Sequence, residues 1–385
     1  MPLAIGHRPS AIGPFDLAIV GGGLAGLSLA IQQARLGHRV LLCEKEKYPF
    51  HKVCGEYIAM ESWDFLSRLG VPLAELELPR ITRLQVSEPG GEILEHPLDP
   101  GGFGISRYSL DARLAAIARA EGVSLLEKTR VRSVEQLDEQ FLLSTSAGDF
   151  TARVVCGSYG KYANLDLRLQ RDFAAPERRK LAFAAVKYHI ELDIPDDLIA
   201  LHNFDGGYCG MSRVDDGRTC LCYLVRADRL KAAGSIPELE RTALRRNPHL
   251  DKIFTRARFL YEQPLAITQI HFQPKSACEQ HVLMLGDAAG VIPPLSGNGM
   301  SMALRASALV SPLLHDFFCQ RLDRAQLESA YARTWQQAFG TRLRTGKALQ
   351  HLFGRPGPTT WLIKGLKPFP AAIGKLVDLT HGKKF

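Results

Sequence analysis

Residues near the start of the chain have the types and spacing that can hold a phosphate group. Gly21, Gly23 and Gly26 fit the pattern GxGxxG between an apolar run and a segment with helical spacing. In such a turn the first glycine permits the sharp bend, the second lets backbone approach a pyrophosphate, and the third lets the helix pack on the strand. We therefore expect phosphate oxygens at the positive end of the helix, at Leu24 and Ala25.

A carboxylate follows at a distance that suits dinucleotide binding. Glu44 lies 18 residues after Gly26, at the end of a second apolar run, and is followed by Lys45. A carboxylate at that place can accept hydrogen bonds from both ribose hydroxyl groups. Strand, glycine turn, helix and second strand together form one βαβ unit. The sequence therefore predicts a dinucleotide-binding site that includes Glu44 and Lys45.

A second glycine-rich segment lies 260 residues after Gly26. A short apolar run leads into Gly286 and Asp287, and the segment continues to the start of a predicted helix with Pro294, Gly297, Asn298, Gly299 and Met300. Backbone N–H groups at that helix N-terminus would stabilise negative charge on a bound cofactor. The alternative is an aspartate that caps a helix within a glycine-rich loop.

These two motifs resemble the FAD-contacting segments of flavoprotein monooxygenases of the para-hydroxybenzoate hydroxylase type and of their relatives, the geranylgeranyl reductases. The resemblance implies that Asp287 binds the ribityl chain and that the glycine loop faces the flavin pyrimidine. Arg107, in the segment RYSLDARL, resembles the family's arginine that reaches toward the ribityl–phosphate region. The resemblance also places Val131 in the cofactor-binding set, and it spans most of residues 15–320.

The segment from Lys52 to Glu56, KVCGE, holds candidate reactive side chains. It resembles a segment of geranylgeranyl reductases and flavin-dependent halogenases that runs toward the isoalloxazine, which adds Lys52, Cys54 and Gly55 to the cofactor-binding set. Cys54 is either a thiol close to the flavin or a small buried residue. Glu56 is either a general acid or a carboxylate that stabilises a helix N-terminus. Tyr208, on a predicted strand, either faces the substrate or belongs to the core.

Departures from the family pattern bear on the activity. Where these monooxygenases have GADGxxSxVR, this chain has Tyr159 in place of the aspartate and Asp166 in place of the arginine. The usual route of reduction by NADH or NADPH is therefore in doubt. Ser301 replaces a common asparagine, and the segment around it is closer to the reductase branch. The three tryptophans form neither the WxWxIP segment of halogenases nor the YxWxFP box of geranylgeranyl reductases.

The resemblance implies an FAD-dependent oxidoreductase with one of three activities. The first is a monooxygenase that uses O₂ and a flavin C4a-hydroperoxide to hydroxylate a hydrophobic aromatic or polyketide-like molecule, with NADPH or NADH as candidate electron donor. The second is a reductase of C=C bonds in a lipophilic isoprenoid, with a proton from Cys54 or Tyr208. The third is a flavin-binding protein without turnover.

The order of predicted elements indicates an α/β protein, α+β overall, in which a Rossmann-like FAD-binding domain is interrupted by an antiparallel β-sheet. The FAD-binding domain is predicted at residues 15–75, 102–165 and 277–320. The substrate-binding sheet domain is predicted at residues 76–101 and 166–276, and a basic helical region at residues 321–385. Middle-domain strands carry His189 and His202, which either line a cavity or are structural.

Composition limits the class of protein. The 385 residues are 46% hydrophobic and 23% charged, which excludes a disordered or fibrous chain. The eight cysteines form no CxxC pair, so we expect reduced thiols, no disulfide scaffold and no metal site. No apolar stretch is long enough to span a membrane, and no secretory signal is evident at the N-terminus. We therefore expect a cytoplasmic protein.

The positive charge of the chain is concentrated at its C-terminal end. Residues 321–385 hold 12 Lys and Arg against three Asp and Glu, a balance of +9, which leaves −1 of the total of +8 for residues 1–320. The basic region is a solvated helical face, or it makes peripheral contact with an anionic membrane or an acidic carrier protein. No nucleic-acid motif accompanies the charge, so no nucleic-acid partner is expected.

Overall fold

Two β-sheets and eleven helices make up the part of the chain that the structure describes. The structure is a computed structural model and describes residues 14–161, 163–174, 182–293, 297–380 and 382–385. Its strands are β1 (Phe15–Val20), β2 (Val40–Cys43), β3 (Tyr57–Ala59), β4 (Arg80–Ser87), β5 (Ile93–Gly104), β6 (Ser124–Leu126), β7 (Val131–Leu137), β8 (Gln140–Thr145), β9 (Gly148–Gly157), β10 (Phe183–Glu191), β11 (Leu198–Phe204), β12 (Gly207–Arg213), β13 (Thr219–Arg226), β14 (Arg258–Phe259), β15 (Leu265–Ile270), β16 (Cys278–Glu279) and β17 (Val282–Met284). Its helices are α1 (Leu24–Arg35), α2 (Trp63–Arg68), α3 (Arg107–Ala120), α4 (Asn164–Arg168), α5 (Ala227–Ala233), α6 (Ile236–Thr242), α7 (Pro248–Arg256), α8 (Gly299–Phe318), α9 (Arg324–Leu352), α10 (Pro356–Leu366) and α11 (Pro370–Thr380).

The first sheet has the parallel core expected of a Rossmann-like fold. Its strands lie in the order β16-β17-β9-β1-β2-β6, and β1 pairs in parallel with both β2 and β9. Five of the six residues of β1 are buried, in one apolar cluster that also contains buried residues of α1, α3 and α8. This order brings the carboxyl ends of β1, β2 and β17, where both glycine motifs begin, to one edge.

The second sheet is antiparallel except at one pair. Its order is β14-β10-β13-β12-β11-β4-β5-β3, and β11 pairs with β4 in parallel. Side chains alternate between its two faces along each strand. One face carries Val186 and Tyr188 and packs against α5, α6 and α7 through Leu239 and Leu250. The opposite face carries Ala185, Lys187 and His189, and it faces the glycine-motif domain and the C-terminal helices.

The C-terminal helices fall into two parts. Helix α9 packs on α8, so it extends the first domain through Tyr331 and Trp335. Helices α10 and α11 instead lie on the second sheet, where Ile363 and Ile373 join the cluster that contains Tyr208. The α/β fold with an inserted sheet and a helical C-terminal region is thus confirmed. The sequence indicated helices at residues 324–385 without showing that the last two cover the sheet.

Candidate functional site

The first glycine motif forms a tight turn between β1 and α1. Gly21 has φ +104°, and a Cβ there would lie 2.5 Å from the carbonyl oxygen of Ser158. A Cβ at Gly26 would lie 2.2 Å from the carbonyl oxygen of Gly21. Both glycines are therefore required by the fold itself, the first for its left-handed backbone and the second for close helix–strand packing.

Gly23 is different, because no protein atom crowds it. A Cβ there would have only the cationic ends of Arg107 and Lys52 nearby, at 3.8 and 3.9 Å. Gly23 is also the N-cap of α1 and makes no side-chain capping bond, so the first N–H groups of the helix are open. An uncapped helix N-terminus beneath two cations fits the diphosphate of FAD.

The two cations are held by one buried carboxylate. The Nε and Nη2 atoms of Arg107 donate to Asp111 at 2.8 and 2.7 Å, and Lys52 Nζ lies 2.9 Å from the same side chain. Burial would raise the pKa of Asp111, but the Arg107 and Lys52 charges lower it on balance. Asp111 therefore stays ionised and fixes both cations above the turn. The sequence pattern around Arg107 contained this aspartate, but its role was not predicted.

Glu44 braces the same turn. Its Oε2 atom accepts from the N–H of Gly22 at 2.8 Å, and its Oε1 atom accepts from the N–H of Glu46 at 3.0 Å. Tyr48 donates its hydroxyl to the carbonyl oxygen of Gly22 at 2.5 Å. Each carboxylate oxygen keeps a second lone pair, which is what a ribose contact requires. Lys45 is exposed beside it.

The second glycine motif lies against the first. A Cβ at Gly286 would lie 3.6 Å from the Cβ of Ala25, so residues separated by 261 positions in sequence become neighbours. Lys275 Nζ donates to the carbonyl oxygen of Asp287 at 2.8 Å, and burial lowers the pKa of Lys275 to about 8. Gly297, Asn298, Gly299 and Met300 lead into α8 beyond it. Pro294 lies outside the described residues.

Tyr159 and Asp166, the two departures from the monooxygenase pattern, contact each other. The Tyr159 hydroxyl donates to Asp166 Oδ1 at 2.9 Å, and Arg171 Nη1 donates to the same oxygen at 3.0 Å. Arg171 also donates to the carbonyl oxygens of Ala288 and Ser276 at 2.8 and 2.9 Å. The substituted residues thus form a buried polar group that ties α4 to the second glycine motif.

The loop that carries Cys54 is fixed to the second sheet by charge. Glu56 is fully buried, and its Oε1 atom accepts from Lys187 Nζ at 2.5 Å while its Oε2 atom contacts His189 Nε2 at 2.6 Å. Lys187 also donates to the carbonyl oxygen of Lys52, and Cys220 donates to that of Cys54. Two backbone carbonyls and one carboxylate of the loop therefore bind the same sheet face.

The role of Glu56 agrees only in part with the two alternatives expected from the sequence. It accepts from the N–H of Arg107 at 2.8 Å, so it does stabilise a helix N-terminus, but of α3 and not of the helix that follows it. Burial would raise the pKa of Glu56, but the hydrogen bond from His189 and the charge of Lys187 lower it on balance. Burial likewise opposes the charge of Lys187, yet Glu56 raises the pKa of that ammonium. The two side chains therefore form an ion pair.

A chain of polar contacts continues from this pair toward the surface. His189 Nδ1 lies 2.8 Å from the hydroxyl of Tyr261, which lies 3.3 Å from Nδ1 of His51. Glu56, His189 and Cys220 also have ligand atoms within 4.8 Å of one another. The Lys187 ammonium already occupies this carboxylate, which disfavours a divalent cation. Sequence reasoning missed Lys187, His51 and Tyr261, and no local motif marks them.

The remaining predicted residues have clear surroundings. Tyr208 is buried among Leu201, Leu224 and Ile363, and its ring meets Phe353 edge-to-face at 6.2 Å. Its catalytic role stays a prediction. Val131 is half-buried at the start of β7, and Gly55 is exposed. His202 lies on the face opposite to His189, where its Nδ1 atom contacts Ser87 Oγ at 2.9 Å, so it is structural.

Comparison with known proteins identifies the class of the chain. Residues 16–52 match the FAD binding domain family, and this range contains β1, the glycine turn, α1, β2 and Glu44. Proteins named as a reductase and a hydroxylase match more than three quarters of the chain. This chain is an FAD-dependent oxidoreductase. Its two glycine motifs resemble those of para-hydroxybenzoate hydroxylase and the geranylgeranyl reductases.

Three curated relatives match this oxidoreductase along most of its length. Conditioned medium factor receptor 1 of Dictyostelium discoideum is 25% identical, over 85% of this chain and 68% of its own. Menaquinone reductase of Mycobacterium tuberculosis is 26% identical, over 84% of this chain and 82% of its own. Ubiquinone hydroxylase UbiL of Rhodospirillum rubrum is 25% identical, over 81% of this chain and 77% of its own.

Solved structures confirm the fold of the oxidoreductase. The flavin-dependent brominase Bmp2 superposes with a TM-score of 0.77 at 16% identity, over 95% of this chain and 93% of its own. A geranylgeranyl bacteriochlorophyll reductase-like protein of Thermoplasma acidophilum superposes with a TM-score of 0.72 at 15% identity, over 95% and 99%. No described helix of this chain is long and apolar enough to cross a membrane.

Proposed function

We propose that this flavoenzyme reduces C=C bonds in the isoprenoid part of a lipophilic molecule, such as the polyprenyl tail of a quinone. FAD would be held at the Gly23 turn by Arg107 and Lys52, with Glu44 at its ribose and Asp287 at its ribityl chain. Bound FAD supplies the two electrons as a hydride. The electrons come from a two-electron donor, for which NADH and NADPH are candidates.

One observation carries the proposal: the Cys54 loop and an apolar cluster meet over one face of the second sheet. Val53 of that loop packs against the cluster that contains Tyr208, Leu201 and Ile373. Cys54, the next residue, packs on the core of the first domain, so its side chain lies where the two apolar clusters meet. Burial of each CH₂ group of a polyprenyl chain contributes about 0.8 kcal/mol to its binding, so apolar residues of this kind would bind it without specific polar contacts.

The residues of the loop have separate roles in this reaction. Cys54 is the proposed proton donor, because a carbon that accepts a hydride must also gain a proton. The backbone carbonyl oxygen of Cys54 accepts from Cys220 Sγ at 3.3 Å, which holds this residue on the sheet. Glu56, Lys187 and His189 are positioning residues that hold the loop on the sheet. The apolar residues beside them exclude water from the reacting carbons.

The names of two relatives also support a lipophilic substrate. Two relatives are named for acting on menaquinone and ubiquinone, which are lipophilic quinones. Carried over to this chain, those names support a quinone or a related isoprenoid as substrate. The segment around Ser301 supports the reductase branch, whereas the Lys52–Glu56 segment resembles both that branch and the flavin-dependent halogenases.

The test uses single turnovers with menaquinone-4 in detergent. The FAD-loaded enzyme is reduced with one equivalent of dithionite without oxygen and mixed with the quinone. The quinol head group is then reoxidised in air, and fragmentation mass spectrometry counts the hydrogens in the tail. We expect the tail to gain two hydrogens per turnover, and Cys54→Ala to slow this at least about tenfold at unchanged FAD content. The matched control is Cys319→Ala, an exposed thiol at the end of α8. A Cys54→Ala enzyme as fast as wild type would remove the proton-donor role.

Hydroxylation is the second candidate, and the relationship to ubiquinone hydroxylase UbiL favours it. It matches the monooxygenase expected from the sequence, and both activities fit the same apolar lining. The same reduced enzyme is mixed with quinone in buffer saturated with ¹⁸O₂. One labelled oxygen in the product would establish hydroxylation, whereas a tail that is reduced only would exclude it for this substrate. If neither product forms at full FAD loading, a flavin-binding protein without turnover would be favoured.

A further inference from the structure

Three large apolar side chains are exposed along α10, the connection to α11, and α11 itself. Trp361 is 74% exposed, Phe369 is 62% exposed and Leu379 is 45% exposed. Across the described residues seven large hydrophobic side chains are exposed, and these three lie within 19 positions of one another in sequence. We call Trp361, Phe369 and Leu379 the apolar rim. Solvent-exposed aromatic residues grouped in this way mark an interaction surface.

The opposite side of the same two helices is firmly packed. Ile363 is 2% exposed and Ile373 is 6% exposed, and both contact the apolar cluster on the second sheet. Trp361 lies two positions from Ile363, about 160° away around the helix axis from a rotation of roughly 100° per residue. The exposed ring therefore contributes little to this packing, and its exposure does not reflect a loose helix.

Positive charge surrounds the rim. Residues 353–385 contain six Lys and Arg and a single acidic residue, Asp378. Lys364 and Lys367 are 61% and 55% exposed, and both contact Glu92 at 3.7 and 3.0 Å. Surface pairs of this kind are weak, so the lysines can exchange Glu92 for another anion. Aromatic rings interspersed with lysines match the boundary between lipid headgroups and acyl chains.

We propose that the outer surface of α10 and α11 binds the interface of a bilayer that contains anionic lipids. Trp361 and Phe369 enter the headgroup boundary, while Lys364 and Lys367 contact lipid phosphates. The inner side of both helices covers the apolar cluster next to the Cys54 loop. Docking therefore sets that cluster against the membrane, which is where a lipophilic isoprenoid resides. This route of substrate entry rests on the proposed function, but the docking itself does not.

The test measures binding of the full-length, FAD-loaded protein to vesicles by flotation. Vesicles of phosphatidylcholine alone are compared with vesicles that contain phosphatidylglycerol at one lipid in four. We expect wild type to float with the anionic vesicles and Trp361→Ser/Phe369→Ser to bind at least about tenfold more weakly. The matched control is Leu137→Ser/Leu167→Ser, because both leucines are exposed, at 53% and 47%, on the first domain.

Charge is tested separately. Lys364→Gln/Lys367→Gln should lose binding to anionic vesicles by about tenfold and leave binding to neutral vesicles unchanged. The control Lys128→Gln/Lys252→Gln removes two exposed lysines elsewhere and should bind like wild type. Blue-shifted tryptophan emission on vesicle addition, lost in Trp361→Phe, would place that ring in the interface.

Three outcomes would overturn the docking proposal. The first is that wild type does not bind anionic vesicles. The second is that the Trp361/Phe369 variant binds as well as wild type. The third is that the Leu137/Leu167 control loses as much binding as the Trp361/Phe369 variant. Binding to an acidic protein without binding to anionic vesicles would also contradict the proposal. Because the assay contains no substrate and no reductant, failure of quinone reduction leaves this result unaffected.

Discussion

Lys187 and Glu56 form an ion pair of 2.5 Å in which both side chains are fully buried. The lysine belongs to the middle of β10 and the glutamate to the loop that carries Cys54, 131 positions earlier in the chain. A buried charge without its partner is strongly destabilising, so this pair is stable only when the loop and sheet are in contact. The position of the Cys54 thiol is therefore set by the second sheet.

This ion pair predicts a large loss of stability in Lys187→Met. The free energy of unfolding, measured by urea denaturation, should fall by about 3–5 kcal/mol because Glu56 is left buried without its cation. Lys252→Met, on the exposed surface of α7, is the control and should change it by less than about 0.5 kcal/mol. In Lys187→Met/Glu56→Gln the loss should be smaller than the sum of the single losses. Strict additivity would contradict the pairing.

Substitution by alanine is expected to have different effects at Gly23 and at Gly26. Gly23→Ala meets no protein atom closer than 3.8 Å, so the apoprotein should keep its stability while the Kd for FAD rises at least about tenfold. Gly26→Ala places a Cβ 2.2 Å from the Gly21 carbonyl oxygen, so it should destabilise the fold itself. Fluorescence titration with FAD and thermal unfolding of the apoprotein separate the two. Equal effects on both quantities would refute the assignment.

The contacts of Arg171 predict that the segment with Tyr159 and Asp166 affects how firmly the cofactor is retained. A lysine cannot reach Asp166, Ala288 and Ser276 together, because Arg171 contacts the first two through Nη1 and the third through Nη2, whereas a lysine has a single nitrogen. Arg171→Lys should therefore loosen the Gly286 turn and speed FAD release by about tenfold, measured as the rate at which bound flavin is lost to an excess of an FAD-binding apoprotein. Arg168→Lys, exposed on the neighbouring helix α4, is the control. Identical release rates in the two variants would argue against the link.

His202 predicts a loss of stability in acid. Burial, with the nearby His249, lowers the pKa of His202 to about 3 from an ordinary value near 6.5. Between these values the unfolded chain binds the proton and the folded chain does not, so stability rises with pH across this window and is lost as pH falls below about 6.5. At pH 5 the cost is about 2 kcal/mol relative to pH 7.

The measurement is the free energy of unfolding at pH 5 and pH 7 in wild type and His202→Gln. The variant should be less stable at pH 7, because it loses the contact with Ser87, and its difference between the two pH values should shrink by about 2 kcal/mol. His351→Gln, exposed at the end of α9, should keep the wild-type difference. An unchanged difference in His202→Gln would mean that another group is responsible.

The glycine turns expected to hold the cofactor could be predicted from the sequence alone, because their signals are local. A GxGxxG turn requires a helix and a strand on either side of it, and Gly21, Gly26 and Glu44 lie where the pattern predicts. The second motif was equally clear from Gly286 and Asp287. Each motif is a short run of backbone with fixed conformational needs, so its residues reveal those needs without any knowledge of distant contacts.

The surroundings of Cys54 and the surface covered by the C-terminal helices depend on contacts between distant parts of the chain, which the sequence does not show. Lys187 and His189 alternate with apolar residues on β10, and a lone lysine in such a strand usually lies at a surface. Glu56 makes both residues buried ionic partners only after the first domain folds back on the second sheet. In the same way, the sequence predicted a basic helical region, but packing against the sheet selected Ile363 as the inner side of α10 and left Trp361 outside.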